Sequence, residues 1–149
     1  MIDKTQQYLW LAKITSLRST CPRRQTGCII TDKQGHILST GYNGVAPGFP
    51  HCTEHACPGA EYSSGEGLDE CLALHAEWNA ILQCKDLDRA HTMYTVAGIC
   101  RTCIKILAGT PIQFIYYVET YAGEREVHDY WHNGLQRNIF KTRLEELPL

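Results

Sequence analysis

No apolar run in the chain approaches the roughly 20 residues that a helix needs to span a bilayer, so a membrane partner is not expected. The opening stretch, Met-Ile-Asp-Lys-Thr-Gln-Gln, is too polar for a signal peptide. An excess of positive charge is also missing. Fourteen Lys and Arg against 16 Asp and Glu leave a formal charge of −2, which gives no electrostatic reason to hold a long polyanion. A nucleic-acid polymer is therefore excluded as the expected partner, although a local basic site for one small phosphate is not. Internal repeats and low-complexity tracts are absent. A composition of 44% hydrophobic and 20% charged residues speaks against disorder, collagen-like and coiled-coil architectures. The 149 residues are one domain's worth of chain, long enough to bury a core. The expectation is a single domain, 1–149, in the cytoplasm.

What the chain has in excess is cysteine. Eight occur, at Cys21, Cys28, Cys52, Cys57, Cys71, Cys84, Cys100 and Cys103. In an exported protein an even number would predict disulfides. Without an export signal the compartment is expected to be reducing, and clustered Cys and His then read as metal ligands, zinc first.

The pattern along the chain alternates helices and strands. Asp3 and Gln6 resemble a capping box, and Trp10, Ile14 and Leu17 follow at helical spacing, so a helix is predicted to end near Ser19, ahead of Pro22. Gly27–Thr31 and Ile37–Thr40 flank turn residues Asp32–Gly35 and predict a hairpin. From about 41 to 71 the chain holds Gly, Pro, Cys and His without periodicity. A loop this long is uncommon in compact domains unless it is functional or cross-linked, and metal pinning is expected. A buried helix at Leu74–Leu82, a strand at Thr92–Val96, a helix at Arg101–Ala108 and a strand at Ile112–Val118 follow. Val127, Tyr130, Trp131 and Leu135 mark a last helix, and Asn138–Phe140 a last edge strand. This order predicts an α/β protein with helices on both faces of a mixed sheet.

Two segments carry chemistry: His75-Ala76-Glu77 and Cys100-Arg101-Thr102-Cys103. Cys-x-x-Cys at a helix start puts two thiols on one side of a turn, where free amides and the helix dipole favour thiolates. His75 completes three protein ligands. Three ligands with an open fourth position is the pattern of catalytic zinc, whereas structural zinc has four. Glu77, two residues after His75, is placed to move protons without ligating the metal. The implied reaction is hydrolytic attack on a ring carbon that bears an amine.

His75-Ala76-Glu77-Trp78-Asn79-Ala80-Ile81 followed by Cys100-x-x-Cys103 resembles the zinc nucleobase deaminases, whose His-x-Glu … Pro-Cys-x-x-Cys signature is well known. Gly41-Tyr42-Asn43-Gly44 and Glu119-Thr120-Tyr121 narrow the resemblance to the deoxycytidylate (dCMP) deaminases of phage and late-competence type, over roughly Trp10 to Tyr121. That resemblance implies a three-layer α/β/α cytidine deaminase-like fold with about five strands. It implies catalytic zinc on His75, Cys100 and Cys103, Glu77 as proton shuttle, and substrate contacts from Asn43, the Ala76 backbone and Tyr121. It also implies a second, structural zinc on Cys21, Cys52, Cys57 and Cys71, with His55 as the alternative to Cys57. Cys28 and Cys84 would then be small buried residues. Oligomers, often hexamers, and regulation by dCTP and dTTP belong to the same implication.

The chain departs from that family at three places. Ile99 stands where proline usually precedes the first Cys, and the connection from His75 to Cys100 is short. Asp86 stands where some phage relatives place a phosphate-binding Arg, leaving Lys85, Arg23 or Arg24 to compensate. Three functions stay open: dCMP deamination, deamination of a nucleoside or base-modified cytidylate, and an inactive zinc-stabilised interaction protein. Asn43 could equally be a left-handed turn residue before Gly44.

Overall fold

The structure, a computed structural model, describes residues 1–63 and 65–149. Five strands form one mixed sheet: β1 (Gly27–Thr31), β2 (Ile37–Tyr42), β3 (Thr92–Ala97), β4 (Phe114–Glu119) and β5 (Asn138–Lys141), in spatial order β2-β1-β3-β4-β5. β1 is antiparallel to β2 and β3, while β3, β4 and β5 run parallel. Helix α1 (Lys4–Ser16) covers one face, where Ile29, Tyr94 and Val96 meet Tyr8, Leu9 and Ala12. Helices α2 (Ala76–Gln83), α3 (Arg101–Ala108) and α4 (Glu124–His128) cover the other, over Cys28, Ile30, Met93, Ile115 and Tyr117. The alternation of inward side chains along each strand produces these two cores, and each large side chain buried there contributes about 1.5–3 kcal/mol. The expected three-layer fold is the one observed. No helix among the described residues is long and apolar enough to cross a membrane.

Strand β1 and helix α3 begin and end where the sequence pattern predicts. Helix α1 does not present the face its large side chains suggest. Ile14 and Leu17 are 57% and 66% exposed, and the buried face is Gln6, Tyr8, Leu9, Ala12 and Ser16. The reason is close packing on β1: a Cβ at Gly27 would lie 2.4 Å from the Ala12 carbonyl oxygen and 2.6 Å from the Ser16 nitrogen. Only small residues fit that contact. The N-terminus is capped by Asp3, which accepts from the Thr5 and Gln6 amides, but Gln6 does not complete a capping box. Its side chain instead donates to the Arg143 carbonyl and accepts from the Glu145 amide, fastening the C-terminal segment along α1. The last helix is also shorter than predicted. It passes at Asp129 into a π turn, Asp129–Gly134, that keeps Trp131 buried and leaves Tyr130 and Leu135 on the surface.

Asp32, in the β1–β2 turn, is buried and accepts from the His36 amide (2.8 Å), the His36 ring (3.1 Å) and Arg89 (2.6 Å). Burial by itself would raise its pKa. The bonds from His36 and the Arg89 charge outweigh that and hold the carboxyl down at about 2. Its folded pKa lies below the unfolded value of about 3.9, so its stabilising effect is complete above that value and lost as pH falls towards 2. Asp32→Asn is expected to lower the urea midpoint at pH 7, with the gap to wild type shrinking at pH 3; a gap that does not depend on pH would contradict this.

Candidate active site

The site forms where the N-termini of α2 and α3 meet at the C-terminal end of β3. β2 carries α2 into place. A Cβ at Gly41 would lie 2.2 Å from the Ala76 oxygen, Ser39 Oγ donates to the Ala80 carbonyl (2.7 Å), and Asn79 Nδ2 donates to the Tyr42 carbonyl (2.8 Å). β3 leads through Ala97, Gly98 and Ile99 to Cys100, the N-cap of α3, whose sulfur accepts from the Cys103 amide at 3.3 Å. Gly98 has a backbone reason to be glycine: a Cβ there would press on the Glu119 oxygen and the Tyr121 backbone at 3.0–3.1 Å.

His75, Cys100 and Cys103 converge. His75 Nδ1 lies 3.2 Å from Cys103 Sγ and 3.5 Å from Cys100 Sγ, and the three ligand atoms all sit within 4.8 Å of one another. It is the one such group among the described residues, and no fourth His, Cys or carboxylate joins it. One imidazole and two thiols match a catalytic zinc, because a structural site would close the shell with a fourth protein ligand. Hydrogen bonds from Cys103, and then from His75, pull the Cys100 thiol down to about 4 against the opposing effect of burial. The same Cys100–Cys103 bond, with burial, pushes the Cys103 thiol up.

Glu77 is 3% exposed, with Oε2 3.7 Å from Cys103 Sγ. Burial raises its carboxyl above the ordinary range, partly opposed by the nearby His75. A cleft of about 570 Å³, counted out to its open mouth, brings His75, Glu77 and Cys100 together with Asn43, Tyr121, Arg23 and Arg24. Ala76 is fully buried behind it as the first residue of α2 and does not line it. Asn43 has no left-handed backbone. Its Oδ1 accepts from the Thr26 amide (2.9 Å) and its Nδ2 donates to the Arg24 carbonyl (2.7 Å), which fastens the segment carrying both arginines. The Arg24 guanidinium sits over the Tyr121 ring, 5.1 Å from its centroid, and donates to Glu119 at 3.1 Å.

Cys21, Cys52, Cys57 and Cys71 do not form a group of clustered metal donors among the described residues, although Cys57, Cys21 and Cys71 all act electrostatically on Cys52. Burial raises the Cys52 thiol to about 11, helped by a hydrogen bond with Cys57 and by the charges of Cys57, Cys21 and Cys71. His55 turns its Nδ1 to the His51 carbonyl (2.8 Å). The unpaired stretch begins after β2, at 43, two residues later than the sequence pattern suggests. The two departures that cast doubt on the phosphate and the pocket both lie off the cleft. Asp86 is exposed with its carboxylate 3.8 Å from Arg89, and Ile99 is packed in the core. The Glu119–Arg24 pair escaped the sequence reading, since no local spacing links residues so far apart.

Residues 2–119 match the family model described as the cytidine and deoxycytidylate deaminase zinc-binding region. The chain belongs to this family. This deaminase-family chain is 34% identical over 124 residues to the deoxycytidylate deaminase of Mycobacterium phage D29, covering 77% of itself and 94% of that protein. It is 31% identical over 121 residues to the deoxycytidylate deaminase of Saccharomyces cerevisiae, covering 80% of itself but only 38% of the yeast protein. The chain thus spans well under two thirds of the length of that relative. Among solved structures, the dCMP deaminase of cyanophage S-TIM5 in complex with dCMP and dUMP superposes with a TM-score of 0.75 at 26% identity. That match covers 95% of this chain and 99% of the phage chain.

Proposed function

We propose that residues 1–149 form a single zinc-dependent deaminase domain that converts dCMP to dUMP and ammonia. The observation that carries this reading is the meeting, in one cleft, of a three-donor metal cluster, a buried Glu77 and two arginines. His75, Cys100 and Cys103 would hold the zinc. When bound, the ion supplies Lewis-acid chemistry, bringing the pKa of a water to about 7. Water adds to C4 of cytosine, the C4–O bond forms, the C4–N bond breaks, and ammonia leaves. Glu77 takes one proton from the water and passes it to N3, then takes the second from the new C4 hydroxyl and delivers it to the departing amine. Burial favours its protonated form, which suits a group that must return each proton it accepts. Ala76 does not line the cleft, but its amide, at the first position of α2, lies where helix amides lack a partner inside the helix, which supports it as the reader of the pyrimidine carbonyl. Tyr121 packs against the base. Asn43 reaches the sugar with the amide hydrogen its backbone bonds leave over. Arg24 takes the phosphate, with Arg23 beside it.

The remaining features of the reading have separate support. The electrostatic influence of Cys57, Cys21 and Cys71 on Cys52 supports a second, structural zinc that would draw these thiols together and pin the loop. A pocket of about 500 Å³, counted out to its open mouth, beside the Gly-Tyr-Asn-Gly segment and lined by Arg18, Thr20, Tyr42 and His51, supports regulation by dCTP and dTTP. Exposed Tyr130, Leu135 and Phe140 supply apolar surface for a homo-oligomer, which we take to be a hexamer. Eight unpaired cysteines suit the reducing cytoplasm.

A substrate panel tests the activity. The kcat/KM of zinc-loaded protein for dCMP is expected to exceed that for deoxycytidine at least about tenfold, because hydrogen bonds to a charged group are worth about 1.5–3 kcal/mol. A preference for deoxycytidine would overturn the choice of substrate.

A further inference from the structure

Arg24 reaches the cleft already engaged. Its Nη2 donates to Glu119 Oε2 at 3.1 Å and to the Thr120 carbonyl at 3.4 Å, and its guanidinium rests over Tyr121. Arg23 is engaged differently: Nη1 donates to the neutral carbonyls of Tyr62, Ser63 and Glu66, which leaves its charge uncancelled by these bonds. We propose that Glu119 is an internal competitor for the substrate's phosphate. By holding Arg24 until a phosphomonoester displaces it, Glu119 sets how strongly the site prefers a nucleotide over a neutral nucleoside.

Three observations support the exchange. First, the Glu119 backbone is held in the sheet while its side chain is half exposed to water. The residue pairs with Ala97 in the β3–β4 register and its carbonyl accepts from the Gly98 amide at 2.7 Å. Its side chain is 48% exposed, against 24% for Arg24. Release therefore needs only a side-chain rotation into water. Second, a carboxylate and a phosphate monoester offer a guanidinium the same kind of anionic oxygen pair, and the phosphate dianion brings the larger charge. Third, Arg24 lines the cleft that also holds His75 and Glu77, so displacing Glu119 requires no movement of the fold.

The inference rests on the proposed reading that Arg24 takes the phosphate. The test compares wild type with Glu119→Gln, using Glu126→Gln as a charge control because Glu126 pairs with Arg101 on the surface at 2.7 Å. KM is measured for dCMP and for deoxycytidine, and inorganic phosphate is titrated calorimetrically into the zinc-loaded protein. Glu119→Gln is expected to lower the KM for dCMP and tighten inorganic phosphate by about three- to fivefold, the size of one partly exposed ion pair. The KM for deoxycytidine is expected to stay unchanged. Parallel shifts for both substrates, or phosphate binding no tighter than in Glu126→Gln, would overturn the proposal. A protein that deaminates no cytosine compound would sink the proposed activity instead, while the phosphate titration would still decide the role of Glu119.

Discussion

Glu77→Gln is expected to lower kcat for dCMP by about 10³-fold or more while zinc content stays at the wild-type level, since general acid–base groups contribute about 10²–10⁴ to rate. The substitution keeps the shape and removes only the ability to take and return a proton. Glu77 stands outside the group of three ligand atoms, with its carboxylate 3.7 Å from the Cys103 sulfur, so the donors for the ion are unchanged. Its burial also argues against a merely solvated helix carboxylate. Such a residue would sit in water at its ordinary pKa, whereas burial pushes this one up. Metal analysis beside steady-state kinetics separates the two roles: near-normal turnover with full zinc would remove Glu77 from the mechanism, and loss of zinc would recast it as part of the metal site.

The site was more legible in the sequence than the packing around it, for a physical reason. His75, Glu77, Cys100 and Cys103 lie in two short segments at helix N-termini, and local spacing alone decides which way such residues point. Strand β1 and helix α3 were equally local, each bounded by glycine or a capping residue. The face of α1 was not. Large apolar side chains at Trp10, Ile14 and Leu17 suggested one stripe, but Gly27 admits only the small residues Ala12 and Ser16, a constraint set by a strand eleven residues beyond the helix. The π turn at Asp129–Gly134 has no periodic signature either, because it inserts an extra residue into a helix whose pattern is otherwise ordinary. Asn43 illustrates the limit within the site itself. Its place in Gly-Tyr-Asn-Gly marked it as important, yet only the fold reveals that it ties down the Arg24 backbone. The pair between Arg24 and Glu119 joins positions 95 residues apart and depends on β4 lying beside β3.

Cys103→Ala and Cys57→Ser should give two different losses. Cys103→Ala takes a donor from the three-ligand group, so zinc is expected to fall from about two equivalents per chain to about one, and turnover of dCMP to below detection, because two remaining donors cannot supply the three ligands of a catalytic site. The fold should survive, since Cys103 contributes only one small side chain to a large core. Cys57→Ser should also release about one equivalent, but its main effect falls on stability. Among its described residues the loop between 43 and 75 has no helix or strand of its own, and the isolated bridge from Gly44 to Leu74 ties its two ends. A four-thiol site spanning Cys21 and the loop would convert metal-binding free energy into order, as structural zinc does in small domains. Gly65, Leu68 and Cys71 line the cleft from that loop, so loosening it should raise the KM for dCMP as well as lower the melting temperature. Wild-type protein that carries only about one zinc, with Cys57→Ser unchanged in metal and melting, would leave the loop thiols without a structural ion.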